Sequence, residues 1–215
     1  MKTDYKQKLV ILGASLFAEE IADYVSLIGG YKLLGFVEGI NLDRCRHRLL
    51  GLPVIWIEDV GKLDDSCKAV CAVGSTKRRH FIQQATDAGL KFIKLIHPAA
   101  VVSPTASIGE GTIVGPGTVI AASTKIGSHV IINRGCLIGH HVEIGDCTTI
   151  SPGTNIGGKT RIADFCSIGM GAVILDGISI GQGSVVGAGA VVTRDVPESV
   201  QVIGIPARVT KKIVD

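Results

Sequence analysis

His140 and His141 stand side by side in this sequence. A neutral imidazole is the side chain best suited to take up a proton near pH 7. His97 precedes Pro98, a place that suits a structural turn, and His129 is isolated. Six cysteines, Cys45, Cys67, Cys71, Cys136, Cys147 and Cys166, are the candidate nucleophiles. Cys67 and Cys71 lack the two-residue gap of a zinc knuckle, and nothing else suggests export. The cysteines therefore read as reduced thiols acting as small hydrophobes, and no metal site is expected.

The elements that position these side chains belong to two regimes. Of the 215 residues, 46% are hydrophobic, enough for a buried core and too many for disorder. Glycines number 28, and 19 of them fall in residues 101–215, where Phe165 is the single aromatic. A net charge of +3 without like-charge runs argues against nucleic acid. The apolar run 9–18 contains Gly13 and leads into Glu19 and Glu20, which suits a buried strand turning into a helix rather than a cleaved leader. No stretch approaches membrane-spanning length, so a cytoplasmic protein without membrane insertion is expected.

Residues 8–97 alternate apolar runs (8–14, 31–38, 53–57, 69–74, 92–97) with amphipathic stretches (15–27, 75–88). This rhythm predicts a Rossmann-like α/β domain with a small parallel sheet, assigned here to residues 1–98. Ligands in such sheets sit beyond the carboxyl ends of the strands, which makes the loops at 13–17, 37–39 and 74–77 candidate contacts. Gly13-Ala14-Ser15 opens a helix, with Ser15 at the cap, and its N-terminus suits a phosphate. The further glycines of a dinucleotide fingerprint are absent, since Leu16, Phe17 and Ala18 stand in their place.

From Val102 the chain obeys another rule. Sixteen successive positions taken six apart, from Val102 through Ile108, Val114 and Ile120 to Val192, are all Val or Ile, and nine of them are followed by Gly. A helix would scatter such residues and a plain strand would alternate them by two. A period of six satisfies a coil of short parallel strands, each contributing one inward aliphatic, with Gly supplying backbone freedom at the corners. The coil is assigned to residues 99–215. If successive coils are eighteen residues apart, as the three-faced fold that this run resembles (below) implies, His140 stacks between Ala122 and Gly158, which leaves its imidazole beside a gap. His141 stacks with Ser123 and Lys159, and His129 with Gly111 and Cys147. Cys136 and Cys166 fall on a small inward position.

The run resembles the hexapeptide-repeat acyltransferases, whose left-handed parallel β-helix has three flat faces. The whole chain, with its βαβ domain, the junction Leu95-Ile96-His97-Pro98 and the C-terminal Val202-Ile203-Gly204-Ile205-Pro206-Ala207-Arg208, is similar to a narrower group. That group is the sugar acetyltransferases of the sialic acid O-acetyltransferase and bacillosamine-pathway type, including perosamine N-acetyltransferases.

The resemblance implies acetyl-CoA as co-substrate and a nucleotide-linked amino sugar as acceptor. It also implies a homotrimer with the cofactor in a groove between neighbouring β-helices. The stretch Asn133-Arg134-Gly135-Cys136-Leu137-Ile138-Gly139-His140 matches the family segment that ends in the catalytic base. His140 is thus the expected base, with His141 as competitor. Relatives usually carry Asp or Glu after that histidine; here Glu143, Asp146 or a backbone carbonyl is left to orient the ring. A backbone N–H near Gly158 is expected to meet the tetrahedral oxygen. Asn133 is expected to hold the sugar, and Ser15, Leu16, Phe17, Val37, Glu38 and Gly74 the nucleotide sugar. Thr149, Gly158, Met170, Ala188 and Pro206 match the acetyl-CoA contacts, while Lys211 and Lys212 are within the tail that would meet its phosphates. N-acetylation of a nucleotide-linked amino sugar is the expected activity. O-acetylation and a noncatalytic nucleotide-sugar scaffold are the alternatives.

Overall fold

The computed structural model of the protein describes residues 7–64 and 66–213. The chain divides into two compact units, and the break falls between Leu95 and Ile96. Among the described residues no helix is long and apolar enough to cross a membrane.

The first unit is a six-stranded sheet. Its strands are β1 (Gln7–Leu12), β2 (Tyr31–Glu38), β3 (Arg48–Leu49), β4 (Leu52–Trp56), β5 (Lys68–Cys71) and β6 (Lys91–Phe92), in the order β3-β4-β2-β1-β5-β6. All neighbours are parallel except the short β3–β4 hairpin at one edge. Helices α1 (Leu16–Ile28) and α2 (Arg78–Asp87) follow β1 and β5. Leu9, Val10, Ile11 and Leu12 are all fully buried, as a central parallel strand covered on both faces requires. Helix α1 buries Ala18, Ile21, Ala22 and Val25, a spacing of three and four that places them on one face toward the sheet. The apolar run 92–97, read as one element in sequence, is split between the units. Phe92 pairs in the first sheet, whereas Leu95–Ile96 joins a sheet of the second.

The second unit is a parallel β-helix of two-residue strands, stacked with an eighteen-residue register such as Leu137 against Val119 and Asn155. One face runs from Val101–Val102 to Val191–Val192, a second from Ser107–Ile108 to Ser179–Ile180, and a third from Ile113–Val114 to Val185–Val186. The six-residue ladder of Val and Ile forms one continuous core. A C-terminal hairpin, Val200–Gly204 and Ala207–Lys212, extends the third face. Several buried hydroxyls and thiols of the prism find partners within it. Thr112, Thr118 and Thr124 each donate their hydroxyl to a carbonyl of the next coil at 2.8 Å, and Cys136 and Cys166 do the same through sulfur at 3.2 Å.

The corners correct the sequence reading of glycine. The Gly that follows the inward aliphatic does not carry left-handed backbone. It is there because the next coil passes too close for a side chain: a Cβ at Gly139 would stand 2.7 Å from the Gly158 nitrogen. Left-handed backbone falls two residues later, where non-glycine side chains are common, His141 among them at φ 55°. Such conformations cost little for Asn and Gly and more for other residues. Here the ladder bonds on either side hold them.

Replacing Gly139 by Ala is expected to overpack the corner and destabilise the β-helix by about 1–3 kcal/mol. The measurement is the thermal midpoint followed by circular dichroism, and an unchanged midpoint would contradict the close-approach account.

Candidate active site

His140 and His141 occupy the corner between the Leu137–Ile138 and Glu143–Ile144 strands. The corner is built by register. His141 donates its backbone N–H to Ala122 O at 2.9 Å, and His140 O accepts the Lys159 N–H at 2.8 Å. The His140 ring lies across Gly158, as the eighteen-residue stacking predicts. A Cβ at position 158 would meet Nε2 at 2.8 Å and Cε1 at 2.9 Å, so a side chain there would push the ring out of this position. The opposite nitrogen, Nδ1, lies 3.1 Å from Nδ1 of His141. The two rings are nearly perpendicular, with centroids 5.2 Å apart and planes at 86°. Both imidazoles are exposed.

Two sequence expectations at this corner are overturned. The Gly158 N–H is donated to Asp176 Oδ1 at 2.5 Å, and the N–H groups of Gly157 and Lys159 go to carbonyls of adjacent coils. None of the three is left to meet an oxyanion. Nor does a nearby carboxylate orient His140. Glu143 reaches Lys125 at 3.3 Å and Arg161 at 3.6 Å along a flat face, and Asp146 accepts the Ser128 N–H. The group in contact with Nδ1 is His141 itself.

The remaining candidates are spread over the prism. Asn133 is half-buried at the preceding corner, where Met170 and Ala188 are exposed and Gly189 donates to Met170 O at 2.8 Å. Thr149 is buried on the third face between Ile131 and Ser167. Pro206 is exposed in the turn of the C-terminal hairpin, and Lys211 and Lys212 are exposed on its second strand. Gly158 alone of the cofactor set shares the histidine corner. The competing histidines have structural surroundings. His97 Nδ1 accepts the Ala99 N–H at 3.0 Å, and the His129 ring is half-buried above Gly111. The Cys136 and Cys166 thiols are pushed up to about 11 by burial, which disfavours the thiolate that an acyl-cysteine route needs.

In the first unit a cavity of about 410 Å³ opens at the carboxyl ends of β1, β2 and β5. Of the predicted contacts, Ser15, Phe17, Glu38 and Gly74 line it. Leu16 lies outside it at 82% exposure, and the Val37 side chain is buried in the core. Ser15 holds the N-cap position of α1, but its hydroxyl makes no capping bond. Gly13 is required here, with φ 108° and a would-be Cβ 3.1 Å from Ala72 O.

Lys77, at the end of the predicted 74–77 loop, also lines the cavity, but sequence reasoning missed its other cations, Arg44 and Arg78, and its second aromatic, Phe81. The run Lys77-Arg78-Arg79 just after Gly74 was the available signal; Arg44 had none. Arg78 is buried and donates to Ser75 O at 3.1 Å. Glu38 serves the loop rather than the opening. Its Oε1 accepts the N–H groups of Gly39, Ile40 and Asn41 at 2.9, 2.8 and 3.3 Å, and its Oε2 holds Arg44 at 3.0 Å. Burial by itself raises this carboxyl, but those hydrogen bonds and Arg44 outweigh it and hold the group below its ordinary 4.5.

The comparisons agree with this architecture. Residues 8–85 match the PglD N-terminal domain model. Residues 123–158 and 159–194 match the bacterial transferase hexapeptide model of six repeats. The crystal structure of PerB from Caulobacter crescentus, in complex with CoA and GDP-perosamine, is 31% identical with a TM-score of 0.88 over 95% of this chain and 97% of that one. The acetyltransferase domain of PglB from Neisseria gonorrhoeae, in complex with acetyl coenzyme A, is 32% identical with a TM-score of 0.88 over 95% of this chain and all of that one (100%). WeeI from Acinetobacter baumannii is 29% identical with a TM-score of 0.86 over 94% of this chain and 99% of that one. No curated protein matches the chain.

The fold is thus a Rossmann-like unit followed by a left-handed parallel β-helix. The chain belongs to the hexapeptide-repeat sugar acetyltransferases that carry a PglD N-terminal domain.

The Glu38 network makes a pH prediction. A carboxyl held low in the folded state stabilises above its unfolded value and loses that contribution as pH falls through its folded value. Glu38→Gln is expected to lower stability by about 1.5–3 kcal/mol at pH 7, as for hydrogen bonds to a charged group. The gap from wild type, read by urea unfolding, is full above pH 4.5 and narrows below it. A gap that stays constant from pH 7 to pH 3 would contradict the assignment.

Proposed function

We propose that this protein transfers the acetyl group of acetyl-CoA to the amino group of a nucleotide-linked amino sugar, with His140 as general base. The observation that carries the reading is the His140 ring, whose Nδ1 meets His141 while its Nε2 lies at the Gly158 gap. It occurs in a family where PerB binds CoA and GDP-perosamine.

The sugar amine attacks the thioester carbonyl and a C–N bond forms. Its proton passes to Nε2 of His140. The tetrahedral intermediate then breaks its C–S bond, and the departing CoA sulfur takes the proton back from the imidazolium. The products are an acetamido sugar and free CoA. The base removes the proton in the transition state, and binding fixes the approach of the two substrates. Donors other than the backbone of residues 157–159 must meet the oxyanion.

The cavity of the first unit suits the nucleotide end. Arg44, Lys77 and Arg78 supply positive charge for a diphosphate, beside the N-terminus of α1. Phe17 and Phe81 offer flat faces to a base. Asn133 is assigned to the sugar. His141 contacts the ring rather than standing as the base.

Acetyl-CoA is assigned to Thr149, Gly158, Met170, Ala188 and Pro206. Within one chain these residues lie on different corners and faces, so they converge only if neighbouring copies supply different members of the set. The three faces differ in what they present outward. The first carries Val101, Val119, Leu137, Asn155, Val173 and Val191, apolar but for Asn155, with Val101 63% and Leu137 47% exposed, whereas the second carries Ser107, Lys125, Glu143, Arg161 and Ser179. The apolar face, which ends at the His140 corner, is the one assigned to a homotrimer contact. Acetyl-CoA and nucleotide sugars place the reaction in the cytoplasm, in keeping with six free cysteines.

The test is release of free thiol from acetyl-CoA with GDP-, UDP- and dTDP-linked 4-amino sugars. Turnover is expected with one of them and a fall of at least about a hundredfold in His140→Ala, with acetyl-CoA binding nearly intact. Full activity in that variant would refute the base. The product is expected to survive mild base, as an amide does; loss of the acetyl group would mark O-acetylation instead. Light scattering is expected to give three chain masses, and a monomer would overturn the shared groove.

A further inference from the structure

We infer that His141 is a positioning residue, a neutral hydrogen-bond acceptor that holds His140 in the tautomer its chemistry requires. The inference rests on the reading of His140 as base. The two Nδ1 atoms are 3.1 Å apart with the rings almost perpendicular, a geometry that places one ring edge-on to the other and accommodates one proton between them. Two neutral imidazoles can share that contact in two ways. If His141 donates, the proton of His140 sits on Nε2 and the ring cannot accept one at the Gly158 gap. If His140 donates through Nδ1–H, its Nε2 carries the free lone pair and His141 bears its own proton on Nε2. Only the second arrangement makes His140 a base.

The backbone supports the same assignment. Left-handed conformation at His141, with φ 55°, and its N–H bond to Ala122 O fix where the side chain starts. Among the described residues no carboxylate takes this place, since Glu143 is engaged with Lys125 and Arg161 and Asp146 with Ser128. An imidazole acceptor fixes the tautomer without a negative charge. After proton uptake at Nε2, the Nδ1–H···Nδ1 bond persists and His141 remains neutral.

The experiment compares His141→Phe, which keeps a flat ring without an acceptor, with His141→Asn, which restores an acceptor oxygen. Both suit the corner. Asn tolerates left-handed backbone, and Phe165 already adopts φ 59° at an equivalent corner. For His141→Phe, kcat is expected to fall on the order of 10–100-fold, the usual cost of losing an orienting partner. KM for acetyl-CoA and the sugar is expected to stay within about twofold, the split that marks a group acting in the chemical step. His141→Asn is expected to recover most of kcat.

A readout on the wild-type enzyme needs no variant. ¹⁵N NMR of labelled histidine is expected to show His140 protonated at Nδ1 and bare at Nε2, and that signature shifts toward Nε2–H in His141→Phe. Unchanged kcat in His141→Phe, together with an inactive His140→Ala, would overturn the positioning role and leave His140 as base. An active His140→Ala with an inactive His141→Phe would overturn both.

Discussion

The constraint on which this structure depends is the register between coils. Because the stacked strands from Val101–Val102 to Val191–Val192 are two residues long and pair eighteen residues apart, each side chain there meets the one eighteen places away, with no latitude for slippage. A shift of one residue would turn the whole ladder of Ile and Val outward. The core therefore does more than hold the chain together. It decides, by counting alone, that the residue facing the His140 ring is Gly158, and that Gly139 passes beneath a neighbouring backbone too close for any side chain.

From that register follows the division of labour at the corner. The backbone groups are consumed by the ladder and by Asp176, so they contribute rigidity rather than catalysis. Chemistry falls to side chains that project from the corner, and two imidazoles do so. The Cys136 and Cys166 thiols lie inside the prism, bonded to carbonyls and held in their protonated form by burial. Preorganisation here is a property of the backbone, which lets an exposed histidine keep a defined orientation without being walled in.

Much of this was legible in the sequence because the repeat is a geometric statement. A run of Val and Ile at six-residue steps admits one architecture, and stacking neighbours can be read from it by addition; His140 over Gly158 is the result. The role of glycine was misjudged for a physical reason. The sequence shows that small residues recur, but not whether they are needed for torsion or for clearance, and the structure assigns Gly139 to clearance and His141 to torsion. Asp176 stands eighteen places beyond Gly158 and is found by the same addition, but the turn of its carboxylate onto the Gly158 N–H is a side-chain orientation that the repeat does not encode. In the first unit the strand-end loops were predicted, yet Glu38 turned inward to its own loop and Arg44 entered from a short 3-10 helix, Leu42–Arg46, too brief to leave a periodic signature.

The central claim is that the acceptor's proton leaves through Nε2 of His140. The measurement that tests it most directly is a crystal structure of the enzyme with CoA and the amino sugar that it turns over. The account predicts the sugar nitrogen within about 2.6–3.2 Å of His140 Nε2, or joined to it through one water, with Nδ1 still on His141. A sugar nitrogen lodged against another side chain, with the His140 ring turned away from it, would contradict the account.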